Sequence, residues 1–168
     1  MPVSIRRAAP KDYPALESIE NAADQLLIDR LSPDRWEPAP SGLSRAAAPG
    51  FVLVAEETET TTIVGFVHVV ETAGIAHLEQ LSVLPRMGQR GYGRALLDTA
   101  MDEARRRGYE LITLRTYADV PWNAPFYARA GFVETQPTTD FHRDLIEVEE
   151  RLGLARFDRR VQMTAALR

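Results

Sequence analysis

Apolar and polar positions along the chain follow two rhythms, and the places where one gives way to the other outline the elements. VSIRRA (3–8) alternates and predicts a first strand. Asp12 and Pro14 carry helix-start chemistry, and Leu16, Ile19, Ala23 and Leu26 give the spacing of an apolar helical stripe. The run from Ser32 to Pro49 holds Pro33, Pro38, Pro40 and Pro49, which predicts loop with short helical pieces and the most mobile part of the chain. Strand-like runs follow at 51–57, 62–71 and 76–84, the first two joined by the short polar TETT, a hairpin signal. Helical spacing returns from Gly93 to Gly108, with Leu96, Leu97, Ala100, Met101 and Ala104 on one face. Arg105, Arg106 and Arg107 fall in its last turn, where cations suit the helix dipole, and read as a solvated helix end. LITLRTY (111–117) predicts a strand, WNAPFYARAG (122–131) a short helix, FVET (132–135) a strand, 144–154 a helix and 159–167 a last strand. Consecutive strands with helices before and after them predict an α/β chain of the mixed, α+β kind, not a regular doubly wound sheet.

Composition narrows the classes. The chain has 168 residues, enough for one domain (1–168) with a full core, and is 45% hydrophobic and 26% charged. No apolar run approaches the ~20 residues of a membrane span, and the N-terminus lacks the apolar region of a secretory signal. A cytoplasmic, membrane-free protein is the expectation. With no cysteine there is no disulfide, thiolate ligand or cysteine nucleophile. No His, Asp or Glu cluster has metal-ligand spacing, so no metal is expected. The net charge of −4 argues against a nucleic-acid partner.

GQRGYGRALL (88–97) joins the third central strand to the long helix, with Gly88, Gly91 and Gly93 at the junction. A helix start exposes backbone N–H groups and a partial positive charge, and glycines let a phosphate approach them closely. Arg86, Arg90 and Arg94 add cations around the same turn. The stretch reads as a phosphate or pyrophosphate cradle. It lacks the Lys and Ser/Thr of the Walker pattern. The dinucleotide fingerprint fails too, because its third glycine would fall on Leu96 and the loop does not follow a first strand.

HLEQLSVLPRMGQRGYGRALL (77–97) followed by NAPFYARAGF (123–132) resembles the GNAT superfamily of acetyl-CoA-dependent N-acetyltransferases, in particular its arylalkylamine and small-molecule branch. The family's phosphate loop reads Q/R-x-x-G-x-G/A. Gly91 and Gly93 match its glycines, whereas its first position falls on Gly88, with Gln89 one place later. The resemblance implies a single GNAT-like domain: a central mixed, mostly antiparallel sheet of six to seven strands, splayed at the cofactor site and flanked by about four helices. It implies acetyl-CoA as co-substrate, held by Gly88, Gln89, Arg90, Gly91, Tyr92, Gly93 and Arg94 and by the backbone of Leu81, Ser82 and Val83. It also implies Tyr127 as the acid that protonates the leaving thiolate. Many members carry an Asn seven residues before that Tyr. Here the position is Val120, and Asn123, four before it, either caps the short helix or reaches the cofactor.

For the base, strand alternation places His77, Glu79, Leu81 and Val83 on one face. The resemblance adds paired ionisable residues at the spots of His77 and Glu79. The expectation is that Glu79, alone or with His77 through water, takes the proton of a primary amine, which attacks the thioester directly in a ternary complex. Glu17, Glu20 and Asp24 read as a solvated helix face. Trp36 and Trp122 are either pocket walls or core. The expected acceptor is a small amine. A protein or peptide acceptor and a non-catalytic acetyl-CoA-binding module are the rival readings. A homodimer through the last strands is expected by family analogy alone.

Overall fold

The computed structural model describes residues 2–168. Seven strands make one open sheet in the order β1-β2-β3-β4-β5-β7-β6. The strands are β1 (Val3–Arg7), β2 (Gly50–Glu57), β3 (Ile63–Thr72), β4 (Ile75–Val83), β5 (Leu111–Tyr117), β6 (Val133–Thr135) and β7 (Arg160–Ala166). Five α-helices flank them: α1 (Tyr13–Leu31), α2 (Gly42–Ala47), α3 (Tyr92–Arg106), α4 (Ala124–Ala128) and α5 (Asp140–Leu152). Every neighbouring pair is antiparallel except β4 and β5. The mixed, mostly antiparallel sheet expected from the strand clustering is present, and the TETT stretch turns β2 into β3.

Two apolar layers sit on the two sides of the sheet. Phe51, Leu53, Val67, Val69, Ala76, Leu78, Ile112 and Leu114 pack with Leu96, Leu97, Ala100 and Ala104 of α3, so the predicted α3 stripe is core. Tyr127 and Phe132 join that layer from α4 and the turn after it. Val52, Val54 and Phe66 face the other way, against Leu16 and Ile19 of α1. The predicted α1 stripe is therefore core only in its first half. Leu26 stays 43% exposed and lines a cleft.

Helix α5 begins earlier than its apolar spacing suggests. Thr139 caps it, its hydroxyl accepting from the backbone N–H of His142 at 3.1 Å. The added turn carries His142 into the interior, only 4% exposed, although the sequence set it at the head of a charged segment.

Candidate active site

The parallel pair β4–β5 is joined only from Ala76–Ile112 to Leu78–Leu114. Beyond it the strands part, and among the described residues no strand pairs with the β5-side edge of β4 from Glu79 to Val83. The gap opens into a cleft of about 1080 Å³. Its walls include Gly88, Gln89, Gly91 and Gly93 at one end, Phe126 and Tyr127 beside the fork, and Glu20, Asp24 and Trp36 at the other end.

A bulge stands at the fork. Val69 pairs with Leu78 and His68 with Gln80, so Glu79 has no partner on β3. The extra residue shifts the alternation by one. Ala76 and Leu78 pack toward α3 before the bulge, and Leu81 and Val83 do so after it. The expectation that His77, Glu79, Leu81 and Val83 share a face is overturned for this reason: His77 belongs to the opposite face, with Phe141 and His142. Ser82 is buried and accepts a hydrogen bond from Gln80 Nε2 at 3.0 Å.

The two expected bases differ in state. Glu79 is exposed to the cleft, yet the protein mass around it raises its carboxyl above the ordinary value by desolvation; Arg45 opposes the rise and Glu149 adds to it. His77 is 3% exposed, and its Nδ1 lies 2.8 Å from Thr113 Oγ1. Burial first, then His142 and Arg115, push its pKa down to about 3. It is a neutral imidazole at physiological pH, and too weak a base to hold an amine's proton there.

Tyr127 lines the cleft with 8% exposure and packs edge-on against Phe126 and Phe132 at centroid distances of 5.1 and 5.7 Å. Desolvation raises its phenol, which stays protonated at any working pH. Asn123 does not cap α4 with its side chain; its Oδ1 accepts from Tyr117 N at 3.4 Å, and it lines the cleft. Val120, at the family's Asn position, is fully buried.

The glycine loop starts α3. Gly91 sits at its N-cap with φ +83, a left-handed conformation that glycine takes without a steric cost. The first bond of the helix runs from Ala95 N to Gly91 O at 3.0 Å, which leaves the N–H groups of Gly93 and Arg94 without a helical carbonyl. A Cβ on Gly91 would meet nothing within 4 Å, so the turn is open on that side. These residues fit a pyrophosphate: unblocked backbone donors, the positive end of the helix, and Arg94 and Arg129 in the same wall.

The far end holds residues whose role the sequence did not disclose. Glu20 is no solvated residue: it is 6% exposed, and its Oε1 accepts from Arg45 Nη2 at 2.6 Å and Nε at 3.1 Å. Arg45 Nη1 also lies 3.0 Å from Nδ1 of buried His68. Asp24 faces the cleft and accepts from Trp36 Nε1 at 3.3 Å; only Glu17 of the three acids remains exposed. Glu149 of α5 is held by Arg115 and Arg160, at 2.7 and 3.0 Å. The Trp question resolves toward walls, since Trp36 and Trp122 both line the cleft. A cap signal, Thr139 before Asp140, was available for α5; the cross-chain pairings had no local signal.

An open sheet forked at its centre, with a long helix starting on a glycine turn beside the fork, is the arrangement that the resemblance implies. The chain belongs to the GNAT family of acetyltransferases, whose model matches residues 13–132. Its fold is similar to that of the ribosomal-protein-S18-alanine N-acetyltransferase from Escherichia coli, at 20% identity and a TM-score of 0.70, over 98% of this chain and 94% of that one. Nourseothricin acetyltransferase matches at 20% identity and a TM-score of 0.68, over 99% of each chain. The PaiA N-acetyltransferase from Thermoplasma acidophilum, solved in complex with coenzyme A, matches at 17% identity and a TM-score of 0.65, over 99% of each chain.

Proposed function

We propose that this acetyltransferase moves the acetyl group of acetyl-CoA to the primary amine of a small molecule by direct attack in a ternary complex. One observation carries the reading: a single cleft joins an open helix start, a carboxylate with a raised pKa and a protonated phenol. The α3 start and its arginines hold the pyrophosphate, and the unpaired edge of β4 offers backbone groups from Leu81 to Val83 to the pantetheine arm. Glu79 takes the amine's proton. A base raised toward working pH is suited to that task. Tyr127 gives a proton to the departing sulfur. His77, neutral and fixed to Thr113, is not the base and serves the site in another way.

The acceptor end favours a small molecule because residues 32–40 cover it. Trp36 bonds to Asp24, Ala39 N donates to Asn21 Oδ1 at 3.0 Å, and Arg156 reaches Asp34 at 3.4 Å. At the mouth, Arg30 Nη2 donates to Asp119 O at 3.3 Å and its guanidinium lies 5.8 Å from the Trp122 ring centroid. The one exposed ion pair among these, Arg156–Asp34, is worth about 0.2–1 kcal/mol.

The first test is thermal unfolding with and without acetyl-CoA. Ligand at ~100 times Kd stabilises by ~2.7 kcal/mol, about 5–11 °C in Tm for a chain of this size. Thiol release is then followed over a panel of small amines and of peptides with free N-termini. Turnover restricted to peptides would overturn the small-molecule assignment, and absence of a shift at millimolar acetyl-CoA would overturn the cofactor.

A further inference from the structure

Four side chains form a continuous hydrogen-bonded chain from the cleft to the surface. His77 lines the cleft, and its Nδ1 lies 2.8 Å from Thr113 Oγ1. Thr113 Oγ1 lies 2.9 Å from His142 Nε2. His142 Nδ1 lies 2.6 Å from Thr139 Oγ1, at the N-cap of α5. His77, Thr113 and His142 are buried, and Thr139 is half-buried. The chain draws on β4, β5 and α5, and crosses the sheet at the His77–Thr113 pair, one step before the strands part.

The proposed reaction gives such a chain a task. An ammonium acceptor loses two protons on becoming an amide. One replaces the acetyl group on sulfur, and the other must leave the site. With the acceptor seated, it occupies the way back through the cleft, and a route that does not pass it is of use. We infer that His77, Thr113, His142 and Thr139 form the exit path for this second proton, an inference that rests on the acetyl-transfer reading.

The protons balance along the path. In the resting polarity His77 Nδ1–H donates to Thr113, Thr113 O–H donates to His142 Nε2, and His142 Nδ1–H donates to Thr139. Because Nδ1 is engaged with Thr113, Nε2 is the nitrogen that receives a proton from the cleft, by way of cleft water. Nδ1 then passes its proton to the Thr113 oxygen, Thr113 passes its own to His142 Nε2, and His142 Nδ1 passes its proton to Thr139. The Thr139 hydroxyl proton leaves to water. One proton enters, one leaves, and no charge stays behind. After product leaves, the reverse passage takes a proton from water at Thr139, releases one from His77 to the water of the opened cleft and restores the first polarity, so the path keeps the proton out of the site only while the acceptor is bound. Each ring releases one proton as it takes the other, so neither buried ring carries a full positive charge along the way. The charged groups that act on His77 are Arg115 of β5 and Glu149 of α5, besides His142 itself; Arg115 also acts on His142.

Thr113→Val removes the hydroxyl and keeps the shape. Taking an acceptor from the amine panel, kcat should fall at least ~10²-fold, at the lower edge of what proton-transfer groups contribute. KM for acetyl-CoA and the acetyl-CoA-induced rise in Tm should hold. Thr113→Ser, which restores the hydroxyl, should stay within ~3-fold of wild type. In mixtures of H2O and D2O the wild-type kcat should depend on the deuterium fraction with the curvature of several protons in flight, and Thr113→Val should lose that curvature. His142→Gln should behave like Thr113→Val and stands in for it if Thr113→Val does not fold. Wild-type kcat and an unchanged pH profile in Thr113→Val, or in His142→Gln in its stead, would overturn the path, as would Thr113→Ser as slow as Thr113→Val. A wild type that binds acetyl-CoA but turns over no amine removes the catalytic reading and the path with it; turnover that is indifferent to these substitutions removes the path alone.

Discussion

Leu78 and Leu114 are the last residues that pair between the two parallel strands, and Glu79, the residue after Leu78, is the one that bulges from β4. Fork and bulge therefore coincide. The fork opens the cleft, and the bulge takes one residue out of the ladder there and turns the following residues over. Without the bulge, Leu81 and Val83 would exchange faces with Gln80 and Ser82. Glu79→Gln keeps the size and removes the base. It should lower kcat by about 10²–10⁴ while leaving the acetyl-CoA-induced Tm shift unchanged. Equal loss of binding would mean that the bulge, not the carboxylate, is what matters.

The pH dependence follows from the same group. A base works in its charged form, so kcat/KM should fall as pH drops through the pKa of Glu79. Desolvation raises that pKa, which places the acid limb above the ordinary Glu value of about 4.3. In Glu79→Gln this limb should be gone. His77 cannot supply it, because its pKa of about 3 lies below an ordinary carboxylate.

Tyr127→Phe separates chemistry from binding. The phenol is protonated throughout the working range, and its ring belongs to the layer beneath α3. The ring stays in the variant and the donor goes. Thiol release in a single turnover should slow by about 10²-fold or more, with acetyl-CoA affinity within about 2-fold. A variant that binds acetyl-CoA weakly would point to a packing role.

Gly91 is held at φ +83 with nothing within 4 Å of where a Cβ would stand. Gly91→Ala therefore meets no clash and bears only the left-handed backbone cost, about 1–2 kcal/mol. That corresponds to a fall of roughly 2–8 °C in Tm. If the turn relaxes instead, the N–H groups re-aim, and acetyl-CoA affinity should drop while Tm holds. Both quantities unchanged would show that the cradle does not depend on this conformation.

Sequence periodicity found what is local. The α3 stripe, the hairpin of β2 and β3 and the α3 start are written in spacing and glycine chemistry within a few residues of each other. It failed where a single residue changes the rule. Nothing around Glu79 marks a bulge, because a bulge is defined by its partner strand. Leu26 continues the α1 stripe in sequence but lines the cleft, because α1 runs past the edge of the apolar layer that Leu16 and Ile19 close. Glu20 reads as a solvated charge until the fold brings Arg45 against it, and no local pattern announces the contact of Thr113 with His142.

The Glu20–Arg45 pair supplies a last prediction, on stability. Both side chains are more than nine-tenths buried and joined at 2.6 Å. Removing one partner strands the other, so Arg45→Met or Glu20→Leu alone should cost about 3–5 kcal/mol in denaturant unfolding. The double substitution should recover part of that, because it exchanges a desolvated pair for apolar contact but leaves Nδ1 of buried His68 without Arg45. Burial raises the Glu20 carboxyl by more than Arg45 offsets. The folded state then binds a proton more tightly than the unfolded chain. Between the ordinary Glu pKa of about 4.3 and the higher folded value, the contribution of Glu20 to stability should fall as pH rises. Comparing unfolding midpoints of wild type and the double variant across that window checks the sign. A double variant as unstable as either single one would show that the pair holds α1 to α2 by geometry that apolar side chains do not reproduce.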